Sequence, residues 1–304
     1  MSMVNPVRHV DLTITPPRNR RPWLFRGMRN VGVGQRIGMV FVWLLILFNV
    51  GVFAWLAVSS LRSTRDIFSS PLGLPGVLHF DNYVRAWEES KFGPAVLNTL
   101  VVVIASAVLI VAIAAPAAYV LARAASRATG PMLGLFTVGM GIPFQVILVP
   151  LFVIMQKVHL VNSLLGVTLL YIGVSLPFTV VLLTSFFRSL PEELEEAATL
   201  DGASPSRTFF SVMLPLARSG LLTGFLLNAI TLWNETFISL IFLQSGDKQT
   251  LSLALLGFLQ RQQYNGADYG GLFAGVCLLV LPTLLLYIFV GRQMIEGMTL
   301  GASK

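Results

Sequence analysis

The sequence predicts an all-α, polytopic membrane protein with six transmembrane helices. Hydrophobic residues make up 55% of its 304 residues and charged residues only 12%, whereas soluble proteins contain about 25% charged residues. The apolar residues are concentrated in long runs, and about twenty such residues suffice for an α-helix to cross the hydrocarbon core of a bilayer. Basic residues flank most of these runs, which is the charge pattern of a protein that spans a membrane several times.

The net charge of +7 could suggest a nucleic-acid partner, but the 21 lysines and arginines do not form a single face. Seven of them lie in the first 36 residues, and most of the others flank apolar runs. Charge placed in this way sets membrane topology, so no nucleic-acid partner is expected. The single cysteine, Cys277, lies in an apolar run. An internal disulfide is therefore impossible, and no metal site is predicted.

The first 36 residues are polar, basic and rich in proline, and they are predicted to form a disordered tail near the membrane surface. The next apolar run is too long for the core of a signal peptide, so it is predicted to be an uncleaved transmembrane helix. Five further runs pass the same length test. The six predicted spans are residues 37–61, 96–121, 132–155, 164–187, 221–243 and 272–290.

Six crossings place both termini on the same side of the membrane, and the basic residues decide which side. Fourteen lysines and arginines fall on the side of the termini, against seven on the other side. The positive-inside rule then places both termini in the cytoplasm, together with the polar loop 191–215. The predicted organisation is a basic cytoplasmic tail (1–36), a six-helix transmembrane domain (37–291) and a cytoplasmic C-terminal tail (292–304).

The loop 191–215 is predicted to form a helix, a sharp turn and a second short helix. Pro191 and the acidic residues after it suit the N-terminus of a helix. Gly202 can adopt the left-handed conformation that ends such a helix. Ser204 can cap the second helix, with Pro205 at its first position.

This loop resembles the cytoplasmic coupling loop of binding-protein-dependent ABC importer permeases. The signature of that family is Glu-Ala-Ala, three residues, Gly, nine residues, an aliphatic residue, one residue and Leu-Pro. Here the matching residues are Glu196-Ala197-Ala198, Gly202, Val212 and Leu214-Pro215, with Val in place of the usual Ile. The resemblance implies that the loop docks on an ATPase subunit. The predicted ATPase-coupling residues are Glu196, Ala197, Ala198, Asp201, Gly202, Arg207, Phe209, Leu214 and Pro215.

The surface of the loop is expected to combine two features that suit docking. Its alanine side chains are small and permit close approach of another backbone. Phe209 and Phe210 are expected to be apolar anchors on the same surface.

Two other stretches resemble the carbohydrate permeases within that family. Trp233-Asn234-Glu235 resembles a Trp-Asn-acid stretch, and residues 296–304 resemble the Gly-Leu-Thr-x-Gly-Ala tail of the smaller, six-span partner in maltose-type transporters. In the tail, Met298 replaces the usual Leu, and the implied role is a contact with the ATPase. The resemblance covers the chain from the first span to the last residue and implies import of a sugar or oligosaccharide.

The loop 244–271 contains an apolar piece, residues 251–259, that is too short to cross a membrane. This piece is expected to lie at the membrane interface or to pack on the outer surface. The resemblance implies that the loop faces an extracellular solute-binding protein.

The sequence contains no Gly-x4-Gly-Lys-Ser/Thr phosphate loop, no His-Glu-x-x-His, no paired cysteines and no Gly-x-Ser-x-Gly elbow. No enzymatic activity is therefore predicted for this chain, and any energy from ATP must come from another protein. The resemblance implies that a partner ATPase binds ATP and Mg. The implied partners are a second permease subunit, two ABC ATPase subunits and the solute-binding protein, assembled at the plasma membrane of a prokaryote.

The fifth predicted span carries the clearest polar pattern within the apolar runs. Asn228, Thr231, Glu235 and Ser239 are spaced i, i+3, i+7 and i+11, so they would share one face of a continuous helix. Glu235 is the only acidic residue in any predicted span, and an ionisable group in lipid is costly. Two interpretations are open: the face lines the translocation path or the seam with a second subunit, or Glu235 is a structural acid hydrogen-bonded between helices.

Three other functions were weighed against sugar import. One alternative is an ABC importer of a non-sugar solute. Only the sugar-type tail and the Trp-Asn-Glu stretch argue against it. An ATP-independent carrier or channel would need inverted repeats or several charges inside the membrane, and neither is visible in the sequence. An intramembrane enzyme based on Glu235 would need a second catalytic group, but no other acid, histidine or lysine lies in a predicted span.

Overall fold

The computed structural model describes residues 33–124, 126–265 and 268–302, and every regular element in these ranges is helical. Almost all of the predicted basic tail, residues 1–36, lies outside the described residues. The chain divides into two units, residues 1–54 and 55–304. Helix α1 (Val33–Ser59) extends from the first unit into the second.

The unit that begins at Trp55 contains thirteen further helices within the described ranges. A π-helical turn, Phe209–Met213, lies between α9 and α10. The helices are α2 (Thr64–Ser69), α3 (Asp81–Glu89), α4 (Phe92–Arg123), α5 (Thr129–Met140), α6 (Phe144–Lys157), α7 (Leu164–Ser189), α8 (Glu193–Leu200), α9 (Pro205–Thr208), α10 (Leu214–Leu216), α11 (Arg218–Trp233), α12 (Phe237–Phe242), α13 (Leu251–Asn265) and α14 (Tyr269–Ala302).

Among the residues that the structure describes, three helices are each long and apolar enough to cross a membrane: residues Arg36–Ser59 of α1, all of α4 and all of α7. Two bent pairs pass the same test only when each pair is taken together. The apolar part of α14, Tyr269–Leu285, is shorter. The prediction of an all-α membrane protein is confirmed, whereas the count of six crossings and the cytoplasmic side of the termini stay predictions.

The predicted third span, residues 132–155, is two helices rather than one. Helix α5 ends at Met140 and α6 begins at Phe144, and the two axes differ by 94°. Pro143 explains the break, because proline has no N–H and disfavours a helical conformation in the residue before it. The backbone of Pro143 is extended, with ψ of 128°.

The predicted fifth span, residues 221–243, is also interrupted. Helix α11 ends at Trp233, and the short helix α12 begins at Phe237. The break contains neither glycine nor proline, so no residue that disrupts helices marks it in the sequence. The prediction of one continuous polar face on this span is therefore wrong.

Helices α4 and α7 pack along each other and form the centre of the described bundle. The contact face of α4 is rich in buried alanines, and small side chains allow membrane helices to approach closely. Helix α11 packs against both helices, and Asn228 of α11 donates a hydrogen bond to Thr179 Oγ1 of α7 at 2.9 Å. The buried alanines of α4 are Ala95, Ala107, Ala114, Ala115 and Ala118.

Helix α13 contains the short apolar piece of the loop 244–271. Leu251 and Phe258 are buried, and α13 packs against α4 and α14. The backbone N–H of Leu251 donates to Thr99 Oγ1 of α4 at 2.8 Å. The piece is therefore packed into the helical bundle, rather than lying flat at the membrane interface.

We expect Gly220→Ala to destabilise the contact between α11 and α7. A Cβ atom at Gly220 would lie 2.5–2.7 Å from ring atoms of Phe186, which is too close for unstrained packing. Overpacking of this kind costs about 1–3 kcal/mol. The melting temperature of the purified protein in detergent measures the effect. Gly134→Ala in α5 is the control, because nothing lies within 4 Å of its Cβ position; equal melting temperatures for the two variants would contradict the expectation.

Candidate functional site

Residues 192–215, hereafter the coupling segment, fold as the sequence predicted: a helix, a sharp turn and a second short helix. Helix α8 ends before Gly202, whose φ of 78° lies in the left-handed region. The N–H of Ala203 donates a hydrogen bond to the carbonyl of Ala198 at 2.9 Å. The N–H of Gly202 donates one to the carbonyl of Thr199 at 3.0 Å. These bonds satisfy carbonyls at the end of α8 that have no partner within the helix.

The second helix of the coupling segment begins with the predicted cap. The backbone N–H of Arg207 donates to Ser204 Oγ at 3.4 Å, and Pro205 occupies the first turn of α9. The chain then passes through the π-helical turn, in which the N–H of Leu214 bonds to the carbonyl of Phe209. Turns of this kind inside helices are frequent at functional sites.

Most motif residues of the coupling segment are exposed. Phe210 has 65% of its surface accessible, and its ring packs edge-on against Phe209 and lines an apolar cavity with residues of α4 and α11. Ala198 and Leu214 are half-buried. The exposed motif residues are Glu196, Ala197, Asp201, Gly202, Arg207 and Pro215.

Phe209 faces the opposite way, so the prediction that it is a surface anchor is wrong. Only 6% of its surface is accessible. Its ring packs against Tyr119 of α4, with centroids 5.0 Å apart, and against Phe187 of α7, with centroids 6.4 Å apart. Phe209 therefore fixes the coupling segment to its own bundle, whereas Phe210 is exposed at the mouth of the cavity between α4 and α11.

A charged contact, which we call the clasp, fixes α8 to the bundle. Arg123, the last residue of α4, donates from Nε to Glu195 Oε1 at 2.6 Å and from its terminal nitrogen to the carbonyl of Leu190 at 2.7 Å. Tyr119 Oη donates to Glu195 Oε2 at 3.1 Å. A longer contact of 3.5 Å joins Arg123 to Glu192. The clasp was not predicted, because Arg123 at the end of an apolar run indicates only membrane topology when the sequence is considered alone.

Three of the four polar residues of the predicted fifth span are engaged inside the protein. Asn228 is buried and bonds to Thr179, and Ser239 is buried beside Tyr171, with Oγ and Oη 2.9 Å apart. Glu235 is partly buried. Thr231 is exposed and bonds only to the carbonyl of Leu227 in its own helix.

The Glu235 carboxylate caps helix α12. Its Oε1 accepts from the N–H of Ile238 at 2.7 Å, and its Oε2 accepts from the N–H of Ser239 at 3.3 Å and from Tyr171 Oη at 2.7 Å. N–H groups in the first turn of a helix have no partner within the helix, so this carboxylate supplies one. Of the two interpretations left open by the sequence, this geometry favours the structural acid hydrogen-bonded between helices. Tyr171 was missed, since nothing local to it signals a partner 64 residues away.

Within the described ranges, no group of three or more histidine, cysteine, aspartate or glutamate side chains is placed to hold a metal ion.

Comparison with known proteins places this arrangement in a family. The model of the family described as "binding-protein-dependent transport system inner membrane component" matches residues 110–293, a range that contains the whole coupling segment. The chain belongs to this family. It is thus a transport component of a bacterial-type inner membrane, and its several apolar helices agree with that location.

Curated relatives of this transport component cover most of its length. The diacetylchitobiose uptake system permease protein NgcG of Streptomyces coelicolor is 37% identical over 86% of this chain and 87% of its own. The trehalose transport system permease protein SugB of Mycobacterium tuberculosis is 30% identical over 82% of this chain and 90% of its own.

A solved structure supports the fold of the transport component. A chain from the crystal structure of a bacterial ABC transporter involved in the import of the acidic polysaccharide alginate matches with a TM-score of 0.72. The match covers 86% of this chain and 98% of that one, at 23% identity. The inner-membrane component therefore has the same helical fold as that chain.

The transport component also has a rigid polar cluster at the end of α4 that lies away from the coupling segment. The side chain of Arg62 is 98% buried. Its guanidinium donates hydrogen bonds to the main-chain carbonyls of Asp66 in α2 and of Ser70 directly after it, at 2.6 Å each. Arg85 of α3 contacts both Asp81 and Asp268. Desolvation acts to raise the pKa of the Asp81 carboxyl, but the hydrogen bond and charge of Arg85 outweigh it and hold that pKa below its usual 3.8.

A cavity of about 510 Å³ lies at the break between α5 and α6, beside α7. Its lining side chains are apolar, among them Met140, Ile142, Phe144 and Leu170, with Gly173 and Pro177 of α7. An apolar wall offers a polar solute no hydrogen bonds from side chains, so specific recognition in this space would need polar groups from elsewhere.

Proposed function

We propose that this chain is one of two permease subunits of an ATP-driven ABC importer for a sugar or oligosaccharide. The observation that carries the proposal is the coupling segment: two short helices joined at Gly202, with Glu196, Ala197 and Arg207 exposed and a fixed inner face. The diacetylchitobiose and trehalose systems in which relatives work support a di- or oligosaccharide as the cargo.

In the proposed mechanism, two partner ATPase subunits bind ATP and Mg and close on each other. Helices α8 and α9 sit in a groove on one ATPase, with Glu196 and Arg207 as charged contacts and Phe210 as the apolar anchor. The closure displaces the coupling segment and, through it, the bundle. The translocation path then opens outward to a solute-binding protein, which delivers its ligand to the path. This chain itself performs no enzymatic step in the scheme.

Of the four polar residues of the fifth predicted span, we propose only Thr231 as a candidate to face the path or the second permease. Thr231 is exposed, and its hydroxyl is engaged only within its own helix. Asn228, Glu235 and Ser239 act as hydrogen-bonding residues of the bundle.

The experiment that tests the proposal is purification from native membranes with a tag on the N-terminal tail, followed by mass spectrometry. We expect a second permease, an ATP-binding-cassette subunit and a solute-binding protein to accompany the chain. The captured binding protein is then screened against diacetylchitobiose, trehalose and longer oligosaccharides by calorimetry. A chain that purifies alone and transports alone would overturn the ABC assignment, and a binding protein that prefers a non-sugar solute would overturn the cargo.

A further inference from the structure

The clasp joins the end of α4 to the segment in which α7 passes into α8, through one guanidinium. Arg123 lies at the C-terminal end of α4, Glu195 lies in α8, and the Leu190 carbonyl lies at the C-terminal end of α7. Nε and both terminal nitrogens of Arg123 donate to groups of the neighbouring segments. Because a guanidinium is planar and rigid, these contacts fix its orientation as well as its position.

The clasp differs from an ordinary surface ion pair in its burial. The side chains of Arg123 and Glu195 are only 10% and 21% exposed. Exposed ion pairs contribute little to stability because water screens the two charges. Separating a pair that is shielded from water is costly, because it leaves a buried charge without a partner. Displacement of α8 must therefore either carry the end of α4 with it or leave two charges without partners.

The two neighbouring glutamates of α8, Glu195 and Glu196, have different surroundings. Glu195 is held by Arg123 and Tyr119, while Glu196, the next residue, is exposed. Directly beside the clasp, Tyr119 also packs on Phe209, so one residue of α4 touches both halves of the coupling segment. The same short helix thus has one acid committed to the bundle and one available to a partner.

We infer that Arg123 is a positioning residue that passes displacement of α8 to α4 and α7. The inference rests on the proposed function, in which the ATPase moves the coupling segment. Without the clasp, α8 and α9 would still dock, because their exposed face does not include Arg123. Their movement would then reach α4 and α7 only through the packing of Phe209 on Tyr119 and Phe187 and through the short link 190–192, so the response of both helix ends would be weaker.

The test uses the full purified complex and follows hydrogen exchange by mass spectrometry with and without a non-hydrolysable ATP analogue. In the parent complex, we expect the analogue to change exchange both in α8–α9 and in the ends of α4 and α7, residues 115–123 and 183–189. In Arg123→Gln and Glu195→Gln, the ATPase should still be retained, while the change in α4 and α7 falls about fivefold or more. Arg123→Lys keeps a positively charged donor for Glu195 and for the Leu190 carbonyl, and it should retain part of the change. Arg127→Gln, an exposed arginine outside the clasp, is the matched control.

Two outcomes would overturn the inference. One is an unchanged response of α4 and α7 in both glutamine variants. The other is loss of the ATPase in those variants and in Arg123→Lys alike, which would show that the clasp only folds the coupling segment. The parent complex is measured first, so a parent chain that retains no ATPase would instead overturn the proposed function.

Discussion

Gly202→Val is expected to abolish capture of the ATPase while leaving membrane insertion intact. Gly202 has φ of 78°, and nothing lies within 4 Å of its Cβ position, so the effect comes from the backbone and not from a clash. A β-branched residue in this conformation is strained by about 1–3 kcal/mol. Relief of that strain would reorient α9 relative to α8 and disrupt the exposed docking face.

The measurement is the amount of ATPase subunit that copurifies per tagged permease. A free-energy change of this size corresponds to a roughly five- to 150-fold loss of affinity. Gly202→Asn is the matched control, because asparagine tolerates the left-handed conformation and should retain most of the capture. Membrane insertion is checked by protease accessibility of the loops. If Gly202→Val captures the ATPase as well as Gly202→Asn does, the coupling role of the turn is excluded.

Glu235→Ala is expected to destabilise the bundle without altering the affinity for the transported solute. The substitution removes the acceptor of two N–H groups of α12 and of the Tyr171 hydroxyl. Loss of a charged cap and of a hydrogen bond in a partly buried site costs about 3 kcal/mol. We expect a lower melting temperature in detergent, less transporter in the membrane and an unchanged apparent KM.

Matched variants separate this role from substrate binding. Glu235→Gln retains one acceptor oxygen and should have an intermediate melting temperature. Tyr171→Phe removes a single hydroxyl and should cost about 1 kcal/mol. Thr231→Val, on the exposed face of α11, should leave the melting temperature unchanged. A raised KM in Glu235→Gln at normal stability would show instead that Glu235 contacts the solute.

Local sequence signals predicted the shape of the coupling segment correctly. A glycine after α8, a serine before a proline at the start of α9 and the spacing of the motif each act over a few residues. Conformations that neighbouring residues determine in this way, such as a positive φ or a helix cap, can be read without knowledge of the rest of the fold. Prolines are less informative, because Pro143 separates α5 from α6 at an angle of 94°, whereas other prolines of the chain lie inside continuous helices.

The orientation of Phe209 could not be predicted in the same way. Phe209 and Phe210 are adjacent and chemically identical, yet one packs on Tyr119 and Phe187 and the other is exposed. Which of them turns inward depends on where α4 and α7 lie. The π-helical turn that begins at Phe209 changes the angular spacing of the residues that follow, and no simple helical periodicity predicts its position.

By itself, the sequence determined that this protein is a helical membrane transport component and that residues 192–215 form two short helices joined by a turn, because hydropathy and motif spacing are properties of nearby residues. Only the tertiary structure decided that the chain breaks after Trp233, that Glu235 caps α12 and that Arg123 holds α8. Each depends on partners far apart in sequence: Tyr171 lies 64 residues from Glu235, and Arg123 lies 72 from Glu195. Packing of α4, α7 and α11 brings these groups together. Hydrogen bonds in sites that are shielded from water then hold them in place.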